Sequence, residues 1–193
     1  MPDRCPDSTD RERDVAEPLE YLGVVGEIEA RLRALGLEPV LVGGMALVIL
    51  GSRRVTRDFD FVITQPADSL AALVDILYDR GLELVSRVDA DGDVVATISN
   101  RRVAVARLRI DAPDTAFFFN PATELRIDLL FDFPIAASTL AAEAMRTKIG
   151  GQSLAVASAQ DLLRLKKIAK AARSAPGDAE DIAFLKALQE PSK

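Results

Sequence analysis

Between Leu19 and Leu35 the apolar positions Val25, Ile28, Leu32 and Leu35 recur every three or four residues, the spacing of one helical face. Gly36 follows where a helix C-cap belongs. The run "EPVLV" (38–42) then reads as a short buried strand, and Met45 to Leu50 as a helix entered through Gly43 and Gly44. "DFDFVI" (58–63) alternates and predicts a strand. "ADSLAALVDILYDRG" (67–81) predicts an amphipathic helix closed by Gly81. Three strand-like segments follow, "LELVSRV" (82–88), "VVATIS" (94–99) and "RVAVARLRI" (102–110). "APDTAFFFNPAT" (112–123) reads as a loop whose three phenylalanines cover the core or line a pocket or partner surface, with the core favoured. "ELRIDLLFDF" (124–133) and "SLAVA" (153–157) are strands, Ser158 opens a helix to about Arg173, "SAPG" interrupts it, and a last helix runs from about Asp178 to Gln189. The expected fold is α+β: one domain with a mixed sheet and helices packed on one face.

Residues 1–17 are charged and proline-bearing and are expected to form a disordered tail; residues 18–190 form the folded unit, with a helical pair over 158–190. The 193 residues suit one domain of ordinary size. No run of about 18 apolar residues marks a membrane span, and the first residues lack the apolar centre of a signal peptide. The one cysteine, Cys5, cannot close an internal disulfide, and the chain is expected in the cytoplasm.

Histidine is absent. That excludes a Ser-His-Asp triad, a histidine base and the usual zinc sites, and leaves chemistry to carboxylates, lysine, arginine, hydroxyls or a hard metal ion. The net charge of −6 makes the surface as a whole unattractive to nucleic acid. "DADGD" (89–93) superficially suggests a calcium loop, but the sixth and twelfth positions of that pattern are Val94 and Asn100 rather than glycine and glutamate, so it reads as a hairpin turn.

The strand "DFDFVI" carries the principal chemistry. Alternation sends Phe59, Phe61 and Ile63 to one face and sets Asp58 and Asp60 side by side on the other. Two such carboxylates repel each other, and a divalent cation relieves the repulsion. In "LRIDLLF" the same alternation puts Asp128 opposite Ile127 and Leu129, so pairing of the two strands brings a third carboxylate to the same face. Three carboxylates around Mg²⁺ or Mn²⁺ is an arrangement for phosphoryl or nucleotidyl transfer. Gly43 and Gly44, lying between a strand and a helix, allow backbone N–H groups to approach a phosphate.

Gly43-Gly44 followed by Asp58-Phe59-Asp60-Phe61 resembles the signature of the nucleotidyltransferase superfamily with the DNA-polymerase-beta-type fold. "GSRRVTRDFDFVI" is similar to the minimal and abortive-infection (AbiE-type) toxin nucleotidyltransferases, in which an arginine and a threonine, here Arg54 and Thr56, precede the aspartate pair. "ASAQDLLRLKKIAKAARSAPGDAEDIAFL" resembles the lysine helix and aspartate helix of the same group, so the likeness covers about Leu41 to Leu188. It implies that Asp58, Asp60 and Asp128 hold Mg²⁺ and that Gly43 and Gly44 meet the nucleotide phosphates. It further implies that Lys166 lies near the triphosphate and that Asp178 and Asp181 are the trailing aspartates of the nucleotide site. The implied activity moves NMP from an NTP to a hydroxyl. The implied acceptor is a tRNA end or other RNA, and the implied role is the toxin of a toxin–antitoxin pair with a cognate antitoxin as partner. Two departures are visible: many active superfamily members carry serine where Gly44 stands, and the toxin-like relatives often have a larger C-terminal helical part.

Alternatives stand beside these readings. The acceptor could be an aminoglycoside-like small molecule or a protein, or the module could bind nucleotide or RNA without turnover. Lys166, Lys170 and Arg173 also fit a solvated basic helix face, and Asp178 with Asp181 also fits an N-cap arrangement. Arg53, Arg54 and Arg57 also fit simple charge compensation of the aspartates; of the three, Arg54 is the candidate nucleotide contact.

Overall fold

The computed structural model describes residues 9–149, 151–172 and 177–189. Helix α1 (Thr9–Ala34) leads through Gly36, at positive φ, into β1 (Val40–Val42) and α2 (Gly43–Ile49). The Leu37 N–H reaches back to the Leu32 carbonyl, which closes α1 in the Schellman manner. Next come β2 (Asp58–Ile63), α3 (Leu70–Tyr78), β3 (Glu83–Val88), β4 (Val94–Ile98) and α4 (Arg101–Asp111). The chain continues through β5 (Thr115–Phe119), β6 (Arg126–Phe131), α5 (Ala137–Glu143), β7 (Met145–Ile149) and β8 (Gln152–Val156) to α6 (Ala159–Ala172) and α7 (Asp178–Gln189).

All eight strands join one mixed sheet in the order β4-β3-β5-β6-β2-β1-β8-β7. β2 pairs parallel with β6 and antiparallel with β1, and β1 pairs parallel with β8. One sheet face presents Phe59, Phe61, Ile127, Leu129, Phe118 and Leu84, all buried. Helix α1 packs on β8 and α3, and α3 packs on α4. Arg31 and Arg101 both pair with Asp79, which ties α1, α3 and α4 together. Burial of this continuous apolar face is the main favourable contribution to folding. The opposite face of the central strands carries the buried Val40, Val42 and Val62 and, beside them, a group of polar side chains. Among the described residues no helix is long and apolar enough to cross a membrane.

Three expectations change, and two elements lie where none was stated. Residues 9–17, expected in a disordered tail, have helical backbone continuous with α1, and residues 1–8 lie outside the described residues. Arginine, glutamate and alanine in this stretch favour helix, and Pro18 does not end it. The segment 102–110, expected as a strand from its alternation, is helix α4. Its start is decided by Asn100, whose side-chain oxygen accepts from the Arg102 and Val103 N–H groups, and its buried residues, Ala104 and Leu108, are four apart. The even spacing of valines therefore misleads, and Val103 and Ile110 are left exposed.

The loop expected over 112–123 contains strand β5, because the aromatic run between Pro113 and Pro121 pairs with β6 and β3. Phe118 enters the core, whereas Phe117 and Phe119 alternate onto the polar face. Finally, α5 and β7 lie in a stretch with no clear sequence pattern. The edge strand β7 exposes Met145, Arg146 and Lys148, and charge on such an edge discourages pairing with another chain. "DADGD" is a hairpin turn, with the Asp89 carboxylate accepting from the Asp91 and Asp93 N–H groups.

Candidate active site

The polar face is organised by the parallel pairing of β2 with β6. Asp58 lies opposite Arg126 and Asp60 opposite Asp128. Residues in register share a face, so the pairing gathers Asp58, Asp60, Arg126 and Asp128 on the side opposite the phenylalanine core. The strand pairing expected to unite the three aspartates is present, and it is parallel.

Gly43 explains how the cluster fits beneath α2. A Cβ at this position would lie 1.9 Å from the Asp60 Oδ2 atom, and the residue's φ is +66°. Space and backbone conformation both require glycine. Gly44 is enclosed differently: a Cβ there would meet Arg54 Nε and Thr56 at 3.2 Å. Arg54 and Thr56 therefore rest against the second glycine while Asp60 rests against the first.

Arg54 continues to the C-terminal helices. Its Nη1 donates to Asp181 Oδ2 at 2.5 Å, and the Lys166 ammonium reaches the same oxygen at 2.7 Å and Asp178 Oδ1 at 3.3 Å. Both carboxylates are buried, and one oxygen of Asp178 has no hydrogen-bond partner. The Ser158 hydroxyl caps α6 by accepting from the Asp161 N–H and donating to its carboxylate, which fixes where that helix begins and hence where Lys166 stands. On α6, Leu162 and Leu163 are buried and Ile168 is exposed. Arg173 lies outside the described residues.

The electrostatics of the two halves differ. Burial, reinforced by the Asp128 and Asp58 carboxylates, pushes the Asp60 carboxyl up to about 7, with Arg126 and Lys166 acting the other way. Asp60 keeps some accessible surface, but its carboxylate is the deeper part, pressed against Gly43. Burial also raises Asp128, against the pull of Arg126. Arg126 grips Asp128 with two parallel bonds, Nε to Oδ1 at 2.9 Å and Nη2 to Oδ2 at 3.1 Å. Burial opposes the Arg126 charge, but Asp128 and its acidic neighbours hold the guanidinium above its ordinary pKa.

Sequence reasoning did not single out Arg126. The signal was available: it lies two residues before Asp128 on an alternating strand, hence on the same face. Arg53 and Arg57 take no part in the cluster's described bonds, and Arg57 instead approaches Glu124 at 3.9 Å.

The donor set suits a hard divalent ion, since all three side chains offer carboxylate oxygens and their crowding disfavours the fully charged state without a cation. As they stand, both Asp128 oxygens are engaged by Arg126. Among the described residues no group of three or more metal-ligating side chains is drawn together as a ready cage.

No family model and no curated protein matches the sequence. Solved structures do match the fold. An antigenic nucleotidyltransferase-like protein from Paracoccidioides brasiliensis aligns with a TM-score of 0.57 at 18% identity, over 93% of this chain and 80% of its own. This chain has the nucleotidyltransferase fold. The antibiotic-resistance factor ANT(2'')-Ia shares that fold with a TM-score of 0.54 at 13% identity, over 89% of this chain and 85% of its own. The lincomycin-bound lincosamide antibiotic adenylyltransferase LnuA shares it with a TM-score of 0.52 at 14% identity, over 89% and 96%. Within the nucleotidyltransferase fold seen here, the glycine pair, the three strand aspartates and the Arg54–Asp181–Lys166 chain form one continuous polar constellation.

Proposed function

We propose that this protein is a Mg²⁺-dependent nucleotidyltransferase that moves NMP from an NTP to a hydroxyl acceptor with release of pyrophosphate. The observation that carries the reading is the placement of Asp60: packed against a glycine that admits no side chain, in register with Asp128, and crowded by carboxylates that raise its pKa. A core strand has no structural need for such crowding, and a charged substrate complex supplies one.

Asp58, Asp60 and Asp128 are the residues to hold the divalent ion. Once bound there, Mg²⁺ or Mn²⁺ supplies activation of the attacking hydroxyl and neutralisation of the phosphates. Gly43 and Gly44 let the backbone approach the nucleotide without a side chain intervening. Thr56 and Arg54, beside Gly44, border the phosphate side. Asp181 and Asp178 orient Lys166 toward the triphosphate.

For the acceptor, the resemblance at Arg54, Thr56, Lys166, Asp178 and Asp181 favours an RNA end, a tRNA included, and with it a toxin restrained by an antitoxin. A small hydroxyl-bearing molecule is the second reading. It is favoured by LnuA, an adenylyltransferase of lincosamide antibiotics nearly all of whose chain is matched. The deciding experiment offers labelled NTPs with total RNA, with protein and with a panel of aminoglycosides and lincosamides, with and without Mg²⁺. Label appearing in one acceptor class, only with Mg²⁺ and only with Asp60 intact, establishes both reaction and acceptor. No transfer to any class, alongside nucleotide binding that survives Asp60→Asn, overturns the enzymatic reading in favour of a non-catalytic binding module.

A further inference from the structure

Arg126 has two partners. Its guanidinium forms the paired bonds to Asp128, and its Cζ lies 5.1 Å from the centre of the Phe117 ring on β5. β6 places Arg126 opposite Asp58 in the parallel ladder, and β5 places Phe117 opposite Asp128 in the antiparallel one. The arginine thus stands among the same carboxylates that the proposed metal ion needs, and its fork occupies both oxygens of one of them. The paired guanidinium bonds take one lone pair of each Asp128 oxygen and set a positive charge where a chelating cation would approach, so arginine and divalent ion compete for this carboxylate.

We propose that Arg126 is an internal counter-ion that competes with the divalent metal for Asp128, so that metal entry requires the guanidinium to leave Asp128 while it remains over Phe117. This rests on the reading of Asp58, Asp60 and Asp128 as the metal centre. Before loading, the arginine offsets carboxylate repulsion that would otherwise oppose folding. Phe117 gives the displaced group a resting face, since a guanidinium is attracted to an aromatic ring after it loses its carboxylate. The consequence is a threshold: the site takes metal weakly when metal comes alone. It takes metal more readily when nucleotide phosphates offer the released guanidinium new acceptors.

The test is Mn²⁺ binding to the full chain without nucleotide, followed by electron paramagnetic resonance of the free ion. Wild type, Arg126→Met and Asp60→Asn are compared, with melting temperatures measured in parallel. Arg126→Met is expected to bind Mn²⁺ at least about tenfold more tightly than wild type, because a positive charge near the ion has gone, and to melt lower when metal-free. Asp60→Asn is expected to bind more weakly.

If Arg126→Met binds no more tightly while Asp60→Asn weakens binding, the Arg126 proposal fails and the metal centre stands. If Asp60→Asn binds as well as wild type, the metal centre itself fails and Arg126 with it. Should Arg126→Met not fold, the arginine Nε–H signal in wild-type NMR decides, assigned by its loss in Arg126→Lys. Its slowed exchange should be lost on saturation with Mg²⁺ alone, where no phosphate can take up the released guanidinium. Unchanged protection under saturation overturns the proposal.

Discussion

On β2 and β6, three carboxylates share a sheet face with one arginine; between α6 and α7, two carboxylates meet Lys166 and Arg54. The second group is balanced, each buried acid facing a cation. The first is in excess, and the imbalance appears as a raised Asp60 and a raised Asp128. Similar side chains therefore stand in opposite relations to stability. The helix cluster is held together by its charges, and the strand cluster is held together despite them. Removing one charge from each should move stability in opposite directions, as expected when one of them serves function at the fold's expense.

The largest effect is expected at Asp60. Asp60→Asn keeps the shape and removes a charge, so nucleotidyl transfer should fall by at least about 10²-fold, the scale of losing a key electrostatic group. The metal-free variant should melt no lower than wild type. Mg²⁺ with NTP should stabilise wild type by mass action and the variant much less. A sharp drop in melting temperature with ligand stabilisation intact would make Asp60 a structural ion-pair residue and erase the contrast.

Lys166 should behave oppositely. Lys166→Met leaves Asp178 without its cation and Asp181 with Arg54 alone. Breaking a largely buried pair in this way costs about 2–3 kcal/mol after allowance for partial exposure, roughly 4–12 °C in a chain of this size. NTP affinity should fall as well. The balanced-cluster account fails if calorimetry shows Lys166→Met melting with wild type.

How much of this was legible beforehand follows from the physics of each element. Asp58, Asp60 and Asp128 were readable because strand alternation is strict, and one parallel pairing then unites them. Lys166, Asp178 and Asp181 were readable as site candidates, but that the one lysine meets both carboxylates depends on how α6 packs on α7. Gly43 was noted for phosphate approach, but its collision with Asp60 could not be read, since that contact depends on how closely α2 packs over β2. Helix α4 was misread because Val103 with Val105, and Leu108 with Ile110, each mimic a strand period, while the deciding cap at Asn100 is a single residue. Arg126 was overlooked although alternation placed it on the site face. Its importance lies in a side-chain fork that only the folded pairing of β2 with β6 brings among the carboxylates.

The pH dependence sharpens the contrast further. The Asp60 carboxyl is raised to about 7 in the folded chain, against roughly 3.9 for an unfolded aspartate. Below about pH 4 both states carry the proton; between there and about 7 only the folded state does. Stability contributed by the protonated form is therefore present at low pH and lost as pH rises through about 7. Metal-free wild type should lose several degrees of melting temperature relative to Asp60→Asn between about pH 5.5 and 8. The gain on adding Mg²⁺ should be larger at the higher pH, where the ion meets a charged carboxylate. Parallel curves for the two proteins would show that Asp60 ionises normally.

The smallest effect is expected at Lys170, one helical turn beyond Lys166. The two lysines have the same chemistry and lie on the same stripe, but Lys170 is exposed and has no carboxylate partner among the described residues, whereas Lys166 meets two. Exposed helix charges contribute little, so Lys170→Ala should change stability by no more than about 0.5 kcal/mol and leave NTP affinity close to wild type. Lys170→Ala is therefore the control for Lys166→Met: it subtracts a positive charge from the same helix without uncovering a buried acid. If the two variants lose NTP affinity equally while neither loses stability, the lysines act as a diffuse basic face. The distinction between a balanced, structural cluster and a strained, functional one would then rest on the strand aspartates alone.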